Sequence, residues 1–385
     1  MVATMPEPLK IHFADEDLRD LKARLSRPRW PDQPPAAADW RQGTDLSYIR
    51  ELAAYWRDHY DWRRREQALN ELPNYRASLD GIDLHFIHQP GVGRSPLPLL
   101  LLHGWPSSFI EFERVIPMLT DPARFGADPA DSFSVVVPSL PGYGLSFRPD
   151  QPRFDIAQIA ATLTKLMRET LGYRSFGAHG GDWGAHIATR LGHAHSQAVM
   201  GIHLTMLVMP RPKVVESDEE RAYLDTVARW NREDSGYAVI QGTRPQTLAY
   251  GLTDSPVGLA AWLVEKFREW SDCDGDIERR FDKDTLLDTI TLYWLTGCIN
   301  SSFGLYHSIR HGGAGPTGPA RVEVPTGYTR FPEGALHPPR SLAERAYNIR
   351  HWSDMPAGGH FPAIEEPAAL AQEIREFFRP LRSIQ

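Results

Sequence analysis

Two short apolar runs, PLLLLHG (98–104) and the opening of FSVVVPSLPGYG (133–144), constrain this chain more than any other feature. A strand with one face in water alternates apolar and polar residues. A run without alternation belongs to a strand covered on both faces. Helical spacing follows through Ile156–Leu171, then the strand-like YRSFGAHG (173–180), helical WGAHIATRLGH (183–193) and strand-like VMGIHLTML (199–207). Strands alternating with helices predict the α/β class with a mostly parallel central sheet. Just upstream, LDGIDLHFIHQ (79–89) alternates and reads as a hairpin strand.

The alternation has a beginning, a gap and a resumption. Residues 1–78 show helical pieces at Asp15–Ser26 and Asp45–Asn70, separated by the loop WPDQPPAAAD, and no strand pattern. They read as an N-terminal meander packed on something larger. Residues 79–210 form the first part of the core. From 211 to 320 the pattern is helical, rich in charge and aromatics, and ends in the linker-like GGAGPTGPA. Residues 321–385 then resume with RVEVPTGY, YNIRHWSDM and a helix at Pro367–Phe378. One sheet interrupted by a helical insertion is the plan of an α/β-hydrolase fold carrying a helical cap.

Composition narrows the partners. With 385 residues, 42% of them hydrophobic, the chain can bury a large core, and a net charge of −7 disfavours a nucleic-acid surface. Its 42 basic residues are nearly all Arg, which reads as the imprint of a GC-rich bacterial genome. Two cysteines, Cys273 and Cys298, make no disulfide framework and fit a reduced, cytoplasmic setting. No signal-like or membrane-spanning run is present, so no membrane anchor is expected. Oligomeric state is not legible, and a homo-oligomer stays open.

The strongest local motif is Gly180-Gly181-Asp182-Trp183-Gly184, between a strand and a helix. A nucleophile elbow needs small residues two before and two after the nucleophile, because the turn is sharp and strained. Asp is also a favoured helix N-cap, so the motif alone leaves both readings open. A carboxylate nucleophile points to a particular reaction. It is ionised at neutral pH, attacks an sp³ carbon directly and forms an alkyl ester. Activated water then hydrolyses that ester, which calls for a histidine base and an oxyanion hole but no metal or cofactor. His360, in Gly358-Gly359-His360-Phe361 after the last strand, is the candidate base. His103-Gly104-Trp105-Pro106 follows the first core strand, so the backbone N–H groups of Trp105 and Trp183 are the candidate oxyanion donors.

On these residues the chain resembles the microsomal-type epoxide hydrolases, particularly soluble bacterial members with the same N-terminal meander. The resemblance runs through RPRWPD (27–32), YDWRRREQALNELPNY (60–75), HGWPSSFIEF (103–112), VVVPSLPGYGLSFRP (135–149), GGDWGAHIATRLG (180–192), the long segment 235–270, LYWLTG (292–297) and GGHFPAIEEP (358–367). It implies an enzyme that turns a small-molecule epoxide and water into a vicinal diol. It also implies two cap tyrosines that hold and protonate the epoxide oxygen, Tyr237 in SGY and Tyr306 in SSFGLY. A phenol can donate at neutral pH without being lost as an anion. Tyr223, Tyr250 and Tyr293 read as structural.

The chain departs from the family at the acid that should orient the histidine. The family places it fourth in a stretch starting Phe-Pro, where this chain has Gly334 in Phe331-Pro332-Glu333-Gly334. The expectation is that Glu333, one position early, takes the role. Asp354 and Glu365 are alternatives, and an incomplete relay is the third. In that last case ester formation survives and hydrolysis slows.

Competing readings are a haloalkane dehalogenase-like hydrolase, which shares the ester chemistry, and a repurposed homologue that binds a small molecule with impaired hydrolysis. HGWP and paired tyrosines suit an epoxide oxygen better than a halide. His193/His195 and His85/His88 lack ligand partners at metal-site spacing. The natural substrate and its stereochemistry are not legible.

Overall fold

The computed structural model describes residues 5–35, 40–313, 321–334 and 336–384. Its nine strands form one sheet: β1 (Glu7–Pro8), β2 (Asn74–Leu79), β3 (Ile82–Gln89), β4 (Leu97–Leu102), β5 (Phe133–Pro138), β6 (Phe176–Gly180), β7 (Val199–Leu204), β8 (Val322–Arg330) and β9 (Tyr347–Asp354). Their order is β1-β2-β3-β5-β4-β6-β7-β8-β9. The pairs from β5 across to β9 are parallel; β1, β2 and β3 are added antiparallel at one edge.

The unbroken leucines of β4 have a simple cause. Successive side chains point to opposite faces, and both faces are covered. Leu100 and Leu102 join Val136, Ala178, Ile202 and Leu204 in one core layer. Leu99 and Leu101 join Val135, Val137, Phe377 and Phe378 in the other. With no exposed face there is no position at which a polar residue is tolerated.

The N-terminal region differs from its sequence pattern in two places. The helical piece at 45–70 is two helices, Leu46–Asp58 and Trp62–Leu69. Asp61 breaks it: its carboxylate caps the second helix by accepting from the Arg63 and Arg64 N–H groups, which requires extended backbone at Asp61. Glu7–Pro8 also pairs with β2, a strand too short to show alternation. This region touches the helices that lie between β7 and β8. Tyr60 donates to Asp288 at 2.8 Å, and Arg65 pairs with the same carboxylate at 2.8 Å.

Helices fill the stretch between β7 and β8, including Asp218–Glu233, Gly236–Thr243, Pro245–Asp254, Pro256–Glu269 and Lys283–Thr296. The linker-like GGAGPTGPA lies, from Ala314 on, outside the described residues. Among the described residues no helix is long and apolar enough to cross a membrane. Cys273 and Cys298 are buried, and neither is in a disulfide.

Register places the functional loops together. Leu102 on β4 pairs with Gly180 on β6, and Gly180 with Leu204 on β7. All three strands are parallel, so the loops that leave them, at 103–106, 181–184 and 205 onward, emerge side by side at one sheet edge.

Candidate active site

The turn after β6 is as tight as the glycines imply. A side chain on Gly184 would place its Cβ 1.9 Å from the Leu102 carbonyl oxygen, and one on Gly180 would meet the Gly184 backbone at 2.3 Å. Asp182 itself has φ +43, a left-handed backbone that a residue with a side chain adopts only under constraint. It does not cap its helix: the cap residue of Asp182–Ala194 is Gly181. The carboxylate is turned instead toward the neighbouring loop, where Oδ1 accepts the Trp105 N–H at 2.8 Å.

Asp182 Oδ2 faces His360 Nε2 at 3.5 Å. That is an ion-pair distance without a well-formed hydrogen bond, and Nε2 is buried without a hydrogen-bond partner. Burial pushes the Asp182 carboxyl up. The His360 ring and the backbone N–H groups of Trp105 and Trp183 outweigh it, and the net is below the ordinary carboxylate value. The group is therefore an anion at neutral pH.

Opposite the carboxylate lies a cavity of about 710 Å³, lined by Asp182, Trp183, Tyr237, Trp270, Tyr306 and His360 among others. Tyr237 stacks on Trp105 with ring centroids 5.4 Å apart and planes at 9°. Tyr306 stands edge-on to Trp183 at 4.7 Å and to Tyr237 at 5.9 Å. Burial pushes both phenols above their ordinary value, and the Asp182 charge adds to it. Both stay protonated through the neutral range.

His360 is held from its backbone side. Its N–H donates to the Trp270 carbonyl at 2.8 Å, and its ring lies 5.0 Å from that of Trp270. The expected acid is not beside it. Among the described residues the only carboxylate paired with His360 is Asp182. Glu333 is exposed at the cavity wall, with its backbone N–H on the Gly358 carbonyl, and the expected pair with His360 is not formed in this arrangement. The reason lies in its neighbour. Gly334 has φ +77, and a Cβ there would sit 2.0 Å from the Trp270 carbonyl oxygen. The loop presses its backbone against Trp270, and Glu333 lines the cavity wall without pairing with His360. The alternatives are also committed elsewhere. Asp354 pairs with Arg330 at 2.5 Å, and Glu365 accepts the Phe361 and Asp272 N–H groups at 3.0 and 2.9 Å.

Of the tyrosines read as structural, Tyr293 is buried and donates to the Ser107 carbonyl at 3.0 Å, and Tyr250 is exposed. Tyr223 instead lines the large cavity, with Trp230 and Met206–Met209. Trp270 was not singled out from the sequence, though it closes a long matched segment. Nor was Glu111, within the matched HGWPSSFIEF, which lines a second, small cavity behind Asp182 with Ser107, His179 and Thr205. His179 is kept neutral: burial drops it to about 3, and its Nδ1 is 2.9 Å from His203 Nδ1.

A strained aspartate at a strand-to-helix turn, set against a backbone donor from the neighbouring strand's loop, sits within the α/β-hydrolase fold. The model of the epoxide hydrolase N terminus matches residues 6–112, and that of the alpha/beta hydrolase fold matches residues 98–247. A protein of Stigmatella aurantiaca is 44% identical over 98% of this chain and 85% of its own length; epoxide hydrolase 1 of Sus scrofa is 37% identical over 96% and 88%. The crystal structure of juvenile hormone epoxide hydrolase from Bombyx mori superposes with a TM-score of 0.87 at 29% identity, covering 99% of this chain and 96% of that one. The chain belongs to the epoxide hydrolase family.

Proposed function

We propose that this protein hydrolyses a small-molecule epoxide to a vicinal diol through an ester on Asp182. The observation that carries the reading is that Asp182, Tyr237 and Tyr306 line one cavity, with the Asp182 carboxyl held below its ordinary value by the His360 ring and the Trp105 and Trp183 N–H groups. Asp182 attacks an epoxide carbon, the C–O bond breaks, and a tyrosine gives its proton to the leaving oxygen. His360 then takes a proton from water, whose oxygen attacks Asp182 Cγ. The Trp105 and Trp183 N–H groups hold the oxyanion. Collapse releases the second hydroxyl, protonated by His360. The remaining proton, left on the Asp182 carboxyl, returns to the tyrosinate. In this reading residues 211–320 act as the cap over residues 79–210 and 321–385, with 1–78 as the meander.

A second reading is favoured because, among the described residues, no carboxylate other than Asp182 pairs with His360: the ester forms and its hydrolysis is slow. Intact-protein mass spectrometry after rapid mixing with styrene oxide, with diol assayed in parallel, tests both. Diol with a transient adduct on Asp182 supports full turnover. A persistent adduct on Asp182 supports the second reading. Diol formed at the parental rate by Asp182→Asn removes the ester route.

A further inference from the structure

The helix Pro256–Glu269 turns one lysine inward. Lys266 is 7% exposed, a depth at which a lysine is rarely found unless it is paired. Its ammonium lies 4.8 Å from the centre of the Tyr237 ring and 5.6 Å from that of Trp270. Both rings line the large cavity, and their centres are 5.2 Å apart. The ion-pair partner is Glu265 at 2.8 Å, the preceding residue on the same helix. That pair does not explain the burial. The Glu265 side chain is 27% exposed against 8% for that of Lys266, and two neighbours on a helix could pair as well in solvent. Taking an ammonium out of water is costly, and one such pair does not offset it. What the inward position adds is contact with the faces of two rings.

We propose that Lys266 selects Tyr237 as the tyrosine that gives its proton to the epoxide oxygen, by holding a positive charge over the ring into which negative charge then spreads. The inference rests on the ester mechanism above and deepens its first half. As Asp182 attacks the epoxide carbon, the electron pair of the breaking C–O bond moves to the oxygen. That oxygen takes the Tyr237 proton, and the phenol becomes a phenolate. Lys266 keeps its own protons throughout. Its charge attracts a phenolate more strongly than a phenol, and only such differential attraction lowers the barrier. Tyr306 holds the same oxygen and stays a phenol.

Two asymmetries between the tyrosines favour Tyr237. The cation stands over its ring and, among the described residues, none stands over the ring of Tyr306. Burial and the Asp182 anion push both phenols up, but the Tyr306 hydroxyl opposes the rise at Tyr237, whereas Tyr237 adds to the rise at Tyr306. The Asp182 charge that resists a phenolate is also consumed as the ester forms, while the Lys266 charge remains. Glu265 acts in the opposite sense and adds to the rise at Tyr237. The two members of the ion pair therefore pull the phenol in opposite directions. Lys266 is a positioning residue here; the proton itself comes from Tyr237.

The test is rapid mixing of the full chain and of Lys266→Met with styrene oxide, with formation and decay of the Asp182 adduct followed separately by intact-protein mass spectrometry. The expected result is formation slowed about 10- to 30-fold and decay within about twofold of the parent. The slowing should persist in a Tyr306→Phe background and shrink below about threefold in a Tyr237→Phe background, where no phenolate can form under the lysine. Glu265→Gln should speed formation about two- to fivefold. Formation at the parental rate in Lys266→Met overturns the proposal. So does a slowing of equal size in both tyrosine backgrounds, or of formation and decay alike, since a lysine that only held the helix in place would act in that way. If Lys266→Met does not fold, Glu265→Gln decides: faster formation supports the proposal, and unchanged or slower formation overturns it. A parent that forms diol while Asp182 never carries an adduct, with Asp182→Asn equally active, overturns the ester reading itself. That result is distinct from a failure of Lys266 alone.

Discussion

The carbonyl oxygen of Trp270 stands where a side chain on Gly334 would have to begin, 2.0 Å from the ideal Cβ. The same carbonyl accepts the His360 N–H at 2.8 Å. One backbone group therefore both steadies the candidate base and shuts out an acid at the position the family uses for it.

Gly334→Asp should consequently fail to rebuild the relay. Positive φ and the overlap with Trp270 together cost about 3 kcal/mol or more. A lowered Tm with no faster ester hydrolysis is expected from thermal melts and adduct-decay kinetics. Faster decay in a folded variant would show that the loop moves aside and that the backbone contact is dispensable.

Glu333→Gln should leave both half-reactions within about twofold of the parent, the range of an exposed substitution remote from the reacting atoms. Pre-steady-state adduct formation and decay measure this. A slowed decay at unchanged formation would mean that Glu333 swings onto His360 during turnover.

Tyr237→Phe and Tyr306→Phe should each slow adduct formation on the order of 10² while sparing decay, because general-acid help is needed only as the epoxide oxygen leaves. The two pKa directions also set a pH profile. Asp182, held below its ordinary value, stays ionised as pH falls toward 3.8, and the phenols, pushed up, stay protonated as pH rises toward 10.0. Adduct formation should then be flat from about pH 5 to about pH 9. A loss within that window on either side would contradict the assigned charge states.

Gly184→Ala inserts a methyl group 1.9 Å from the Leu102 carbonyl oxygen. Overpacking of this kind costs about 1–3 kcal/mol, and here the displaced element carries Asp182. Lower Tm and a larger loss in adduct formation than in decay are expected. An unaffected variant would show that the turn has more room than its geometry implies.

Much was legible in the chain. The apolar runs of β4 and β5 report burial on both faces, since a strand covered on two sides has nowhere to put a polar residue. Gly180 and Gly184 report a sharp turn, since only the absence of Cβ permits those approaches. Glycines at 358 and 359 mark the loop that presents His360. These are local constraints, and local constraints leave residue patterns.

What the pattern could not say is who stands beside whom across the fold. That Asp182 faces Trp105 rather than capping its helix depends on the parallel register of Leu102 with Gly180. That Asp61 divides one helical stretch into two depends on a side chain reaching backbone N–H groups. The position of Glu333 shows the limit most clearly. In sequence it is one residue from the family's acid; in the fold it stands at the cavity wall without pairing with His360, on a loop whose Gly334 packs against the Trp270 carbonyl. Residue types and short-range spacing determined the fold and pointed to a candidate nucleophile and base; only the packing of distant backbone decided which carboxyls lie near them.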